Sequence, residues 1–253
     1  MQICIETHRY QWLCHAGRVV LFGVLLVALG ACATLPEEPP ASGFVAKVQT
    51  EDAELPRWWY LRFRLRRNQE DGVDSFLDLL VADQILAPAI ARNENDIELW
   101  RFHRRWPLDA TGHQFSFVFF APSRVAKLVT WQIEQNPLLE KLRADGHLVE
   151  FRMDHIGPDR ATDPAATSDT SWPPEIQREW PKFIMGASRM WLGLVQAEAA
   201  KQAEPDLYRR YRDVEVALDD LWFNEANHAF FHHLSALFGY KPVRVIRRDI
   251  MTF

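Results

Sequence analysis

A chain of 253 residues with 48% hydrophobic and 25% charged side chains has the balance of a globular protein, which excludes a disordered chain and a polytopic membrane protein. Its formal net charge of −5 at pH 7 speaks against nucleic acid as the partner. The first element in chain order is a leader: Arg9 and Arg18 precede the apolar run VVLFGVLLVALGA, Val19–Ala31. As a helix this run spans about 20 Å, short of the roughly 30 Å hydrocarbon core of a bilayer. A positive flank, a short apolar core and small residues at its end predict a secretion signal over residues 1–31.

Cys32 follows directly, in the tetrapeptide LGAC, Leu29–Cys32. This resembles the lipobox of bacterial lipoproteins, and the resemblance implies cleavage before Cys32 and lipidation of its thiol. Ala33, in place of Asp, resembles the sorting pattern of outer-membrane lipoproteins. The implied location is the cell envelope, with the protein lipid-anchored at the outer membrane and facing the periplasm. Three acyl chains, at about 0.8 kcal/mol per buried methylene, would hold it there almost permanently. The resemblance covers the signal and the residues just after it, and says nothing of the domain beyond. Removal of residues 1–31 takes away Cys4 and Cys14, so Cys32 is the remaining cysteine and no disulfide is expected. Two arginines and one glutamate leave as well, turning 29 basic and 34 acidic residues into 27 and 33.

The stretch ATLPEEPPASG (Ala33–Gly43) is rich in proline and small residues and reads as a tether, so residues 32–56 are taken as lipidated cysteine and linker. Beyond it, WWYLRFRLRR alternates, with Trp59, Leu61, Phe63 and Leu65 on one side and Arg62, Arg64 and Arg66 on the other, which predicts a strand. Val73, Phe76, Leu77, Leu80, Val81 and Ile85 recur at helical spacing until Pro88, which is expected to stop the run. A strand over Ile97–Trp106, a turn at PLDATGH and a strand over Gln114–Ala121 follow. Ser123 is expected to cap a helix carrying Val125, Leu128, Val129 and Ile133, which Asn136-Pro137 interrupts before a turn ending at Gly146. His147–His155 closes the series as a strand.

The order β-α-β-β-α-β over residues 57–156 resembles the ferredoxin-like, split β-α-β arrangement, so the expected class is α+β. That fold hosts many unrelated activities and transfers none. Residues 157–173 are polar and rich in turn formers and read as a linker. Residues 174–253 are expected to form an antiparallel helical pair, one helix from Pro174 to about Gln202 that Pro181 must kink or split, the other from Asp206 to about Phe238. PVRVIRRDI at the end reads as an edge strand.

Two groups of residues suggest chemistry. The strand at Gln114–Ala121 is apolar on both faces, so both faces of the sheet should be covered, with the C-terminal helices as the natural cover. Arg62, Arg64 and Arg66, joined by Arg101, His103 and Arg105, would then either pair with Glu179, Asp213, Glu215 or Glu225 of those helices or form a basic groove for an anionic ligand. The second group is NEANHAFFHH, Asn224–His233. On a wheel of 100° per residue, Glu225, His228 and His232 continue the apolar stripe of Leu207, Tyr211, Val214, Leu218 and Leu221, and so should point inward, with Glu179 in reach across the helical pair. Glu-x-x-His is the spacing of carboxylate-bridged di-iron bundles, but the chain carries no second copy of it. A single zinc or iron ion on Glu225, His228, His232 and Glu179 is the metal reading, and a structural polar cluster is the alternative.

No nucleophile elbow, phosphate loop or dinucleotide fingerprint occurs, and no free cysteine remains for catalysis. The expected protein is therefore a non-catalytic binding or scaffolding module of the envelope. It is held to the bilayer through Cys32, takes no resident cofactor, and meets an envelope protein or an anionic ligand at Arg62, Arg64 and Arg101. A metal-dependent enzyme on the Glu/His motif is the rival.

Overall fold

A computed structural model describes residues 55–68, 72–105, 112–157 and 162–240. The signal, Cys32, nearly all of the tether and the expected C-terminal edge strand lie outside the described residues. The architecture is α+β, a four-stranded antiparallel sheet with helices. Strands β1 (Arg57–Leu65), β2 (Leu99–Arg104), β3 (Gln114–Ala121) and β4 (Leu148–His155) lie in the order β2-β3-β1-β4.

Strand alternation sets two different faces. Pairing aligns Trp100, Phe119, Trp59 and His155 in one row, Phe102, Phe117, Leu61 and Met153 in the next, and Arg104, Phe115, Phe63 and Phe151 in a third. These rows pack under α1 (Phe76–Val81), α2 (Ala87–Arg92) and α3 (Ser123–Glu134), with Leu61, Phe63, Phe115, Phe117 and Phe119 wholly buried. The second face carries Leu99, Phe120 and Trp58, then Arg101, Val118, Tyr60 and Asp154, then His103, Ser116, Arg62 and Arg152.

The expectation that the C-terminal helices cover this second face holds only in part, through Met185 at one end. One apolar end of it, Trp58, Leu99, Val118 and Phe120, is covered by Ala166, Ile156 and Met185. Ala166 belongs to a 3-10 turn, Pro164–Thr167, within the segment read as a linker. Trp58 Nε1 donates to the carbonyls of Asp163 at 3.0 Å and Pro164 at 3.2 Å, so that segment is docked on the sheet. Helix α5 (Pro174–Lys201) instead lies along the edge strand β2, where Ser188 Oγ accepts from the backbone N–H of Phe102 at 3.1 Å. A helix laid on an edge strand prevents it from pairing with another chain. Helix α6 (Leu207–Leu221) packs on α1 through buried Tyr211 and Val214, as its predicted stripe requires.

Neither proline ends or splits its helix. Pro88 does not end its helix, because a π-turn at Ala82–Leu86 precedes α2 and Pro88 enters α2 in the first turn, where a missing N–H is tolerated. Pro181 does not split α5, which runs unbroken for 28 residues. In each case the carbonyl four residues earlier, which the proline has no N–H to serve, accepts a side chain from elsewhere. Asn136 Nδ2 donates to the carbonyl of Gln84 at 2.9 Å, and Ser168 Oγ donates to that of Gln177 at 2.7 Å. Ser123 is the first residue of α3 and no cap, whereas Asn136 caps α4 (Pro137–Ala144) by accepting from the N–H of Leu138 at 3.0 Å.

Substituting Ser168→Ala leaves the Gln177 carbonyl unserved and should cost about 1 kcal/mol in urea denaturation. In a Pro181→Ala background, where residue 181 regains an N–H, the same substitution should cost markedly less.

Candidate functional site

The second sheet face gathers more cations than anions, and its strands dictate which. β4 lies next to β1 and places acids opposite basic residues: Arg62 Nε pairs with Asp154 Oδ2 at 3.1 Å, and Arg64 Nε with Glu150 Oε2 at 3.3 Å. Arg152 shares Asp154 at 3.2 Å. The partners are thus neighbours in the sheet, and the expectation of pairing with Glu179, Asp213, Glu215 or Glu225 is corrected.

Arg101, on β2, is separated from these acids by two intervening strands. Among the described residues no carboxylate pairs with it. Its Nη2 donates to the carbonyl of Thr167 at 3.3 Å, and its Nε is buried with no partner. Withdrawal from water lowers the pKa of this guanidinium, a shift that the neighbouring Tyr60 opposes. Burial likewise raises the Tyr60 phenol, against the pull of Arg101 and Arg62. The Arg62 guanidinium lies 5.1 Å over the Tyr60 ring. His103 is held below its ordinary value of 6.5 by withdrawal from water and then by Arg101, Arg105 and Arg62. A half-buried arginine with donors to spare, next to a phenol, a second arginine and a neutral histidine, is suited to an anion's oxygens.

The Glu/His motif is arranged differently from its prediction. A second π-turn, Trp222–Ala226, falls at the motif, ahead of α7 (Asn227–Leu237). A π-turn holds an extra residue, so positions after it rotate by roughly 100° from the stripe that ends at Leu221. His228 and His232 are consequently exposed, and Glu225, within the turn, is exposed as well. His228 and His232 stack at 5.8 Å between ring centroids, and Glu179 is exposed and paired with Lys182 at 2.9 Å. Among the described residues, no three His, Cys, Asp or Glu side chains converge as metal ligands.

One ionic cluster escapes the sequence reading. Asp78, in the middle of the buried segment FLDLLV, is wholly inaccessible and meets His113 Nε2 at 2.8 Å and Arg104 Nε at 2.8 Å. His113 is buried too, and its Nδ1 has no partner. Glu215 of α6 lies close, with its carboxyl pKa raised by burial, then by Asp219 and Asp78, against the pull of Arg104. A single acid within an apolar run is itself a signal, because a buried carboxylate requires a cation.

No family model, curated protein or solved structure matches this chain.

His103 and His147 both have depressed pKa values in the folded chain, His147 through withdrawal from water first. Above pH 6.5 they are neutral in folded and unfolded chain alike, whereas below it the unfolded chain gains protons that the folded one resists, so their contribution to stability falls with pH. Glu215, with its raised value, acts in the opposite sense. The diagnostic quantity is therefore a difference: between pH 7.5 and 5.5 the urea midpoint should fall less in His103→Gln than in the unmodified chain.

Proposed function

We propose that this chain is a lipid-anchored module of the bacterial cell envelope, held at the outer membrane through acylated Cys32 and facing the periplasm, which binds an anionic group without catalysing a reaction. The observation that carries the binding reading is the Arg101 guanidinium, largely withdrawn from water with no carboxylate beside it and its Nε unpartnered. Removing a charge from water costs several kcal/mol unless a counter-charge is supplied. A site that accepts this cost in the free protein is one that a ligand completes, with Tyr60, Arg62 and His103 as the adjoining donors. A phosphate or a carboxylate fits those donors equally.

The fold proposal has two parts. The ferredoxin-like reading is supported by β1 and β2 lying on either side of β3, joined through α1 and α2. The C-terminal helical pair is supported by the contact between α5 and α6 across the short connection from Lys201 to Leu207. The envelope reading rests on the leader and on LGAC, Leu29–Cys32. No helix among the described residues is long and apolar enough to cross a membrane.

In Arg101→Met the unpaired charge is gone, so the variant should melt at the same temperature as the unmodified chain or a few degrees higher. Inorganic phosphate, compared with chloride at equal ionic strength, should raise the melting temperature of the unmodified chain but not that of the variant. A strongly destabilised Arg101→Met, together with no phosphate effect on the unmodified chain, would make Arg101 structural. Mass spectrometry of the membrane-associated protein should find an acylated N-terminal Cys32, and an intact leader would refute the anchor.

A further inference from the structure

We infer that the cleft at the sheet edge between β2 and α5, lined by Phe102, Arg104 and Phe115 of one sheet face and bordered by His103 of the other, binds a small anionic amphiphile. Its acid group would sit on Arg104 and its apolar body against Phe102, Ile184 and Ala187. The cleft has a volume of about 310 Å³, at the low end for small-molecule sites, and its walls are mostly apolar.

Three contacts preform it. Ser188 Oγ accepts from the Phe102 N–H at 3.1 Å and fixes α5 on the edge of β2. Trp191 packs edge-on against Phe102, with ring centroids 5.3 Å apart, and closes one wall. Arg104, at the mouth, is held from two sides, with its Nε on the buried carboxylate of Asp78 at 2.8 Å and its guanidinium 5.0 Å over the Trp191 ring.

These contacts use the Nε and one face of the guanidinium. The two Nη groups have no partner among the described residues, and the side chain keeps 40% of its surface exposed. An arginine oriented by a buried carboxylate and an indole presents this two-pronged edge at little further entropic cost, which is the geometry that a carboxylate or phosphate accepts. His113 holds the other oxygen of Asp78 at 2.8 Å, so that carboxylate is not free to swing into the cleft. The other acid near Arg104 is Glu215, which forms no ion pair among the described residues and whose raised pKa weakens its competition for the guanidinium. The ligand class follows from the two ends of the cleft: an aryl or short acyl body carrying one acid group.

The test is a calorimetric titration of the full-length protein with 3-phenylpropionate, with its uncharged amide as control. The acid should bind at least about tenfold tighter than the amide, the order that a charge-assisted hydrogen-bonded pair supplies. Arg104→Gln leaves Asp78 without its cation and is expected to unfold part of the domain, so the decisive variant is Ala187→Leu. It occupies cleft space while keeping both Arg104 and Asp78, and should weaken the acid at least about tenfold while leaving the melting temperature in place. Arg101→Met should leave this binding unchanged, since Arg101 does not line the cleft. Equal affinity for acid and amide, undiminished binding in Ala187→Leu, or no binding of the acid at millimolar concentration would each overturn the proposal.

Discussion

Side chains on a strand alternate between two faces, and in β1 that alternation decides what the molecule can bind. Burial of Trp59, Leu61 and Phe63 beneath the helices forces Trp58, Tyr60 and Arg62 to the other side. A slip of one residue would drive arginines into the core and the aromatic rings outward, so the register is held by the whole apolar face. The polar second face is therefore a necessary product of how the core is built. Its charge pattern then follows from strand neighbours: β4 brings Asp154 and Glu150 to β1, while β3, lying between β1 and β2, brings Val118 and Ser116 and no acid to Arg101.

The helices face a related constraint on their own backbone. Two prolines and two π-turns interrupt the regular hydrogen-bond ladder, and the chain keeps its helices by serving the freed carbonyls from other segments. Ser168 comes from the docked segment beside the sheet and Asn136 from the cap of α4. The same side chains therefore join local helix repair to tertiary docking. The segment that covers Trp58 and supplies the Thr167 carbonyl to Arg101 is tied to α5 in this way.

Strand β1 and the stripe of α6 are legible in the sequence because each has a buried face of regular period, as in WWYLRFRLRR and in Leu207, Tyr211, Val214 and Leu218, whereas β3 is legible as an apolar run buried on both faces. The apolar second face of β3 correctly signals a cover, yet nothing local says that Met185 of α5 shares this cover with a turn at Pro164–Thr167 or that it reaches only one end. A π-turn adds one residue without marking the composition, so a wheel drawn at constant angle runs false beyond it, which is why His228 and His232 are misplaced. Arg62, Arg64 and Arg101 are legible as basic residues of one face, but the difference between them is not. Pairing of the first two and isolation of the third depend on strand order, which no single segment encodes. Asp78 is hidden by the opposite circumstance, a helix buried all round, in which no face is marked as polar.

The account rests on Arg101 being an arginine that the protein itself leaves without a counter-charge. The most direct measurement is a crystal structure of the chain soaked in tungstate, a phosphate-like oxyanion located by its anomalous scattering. The expected result is a strong peak within hydrogen-bonding distance of the Arg101 guanidinium, on the side of Tyr60 and His103. A carboxylate of the chain itself seated on Arg101, with no peak on that face, would contradict it.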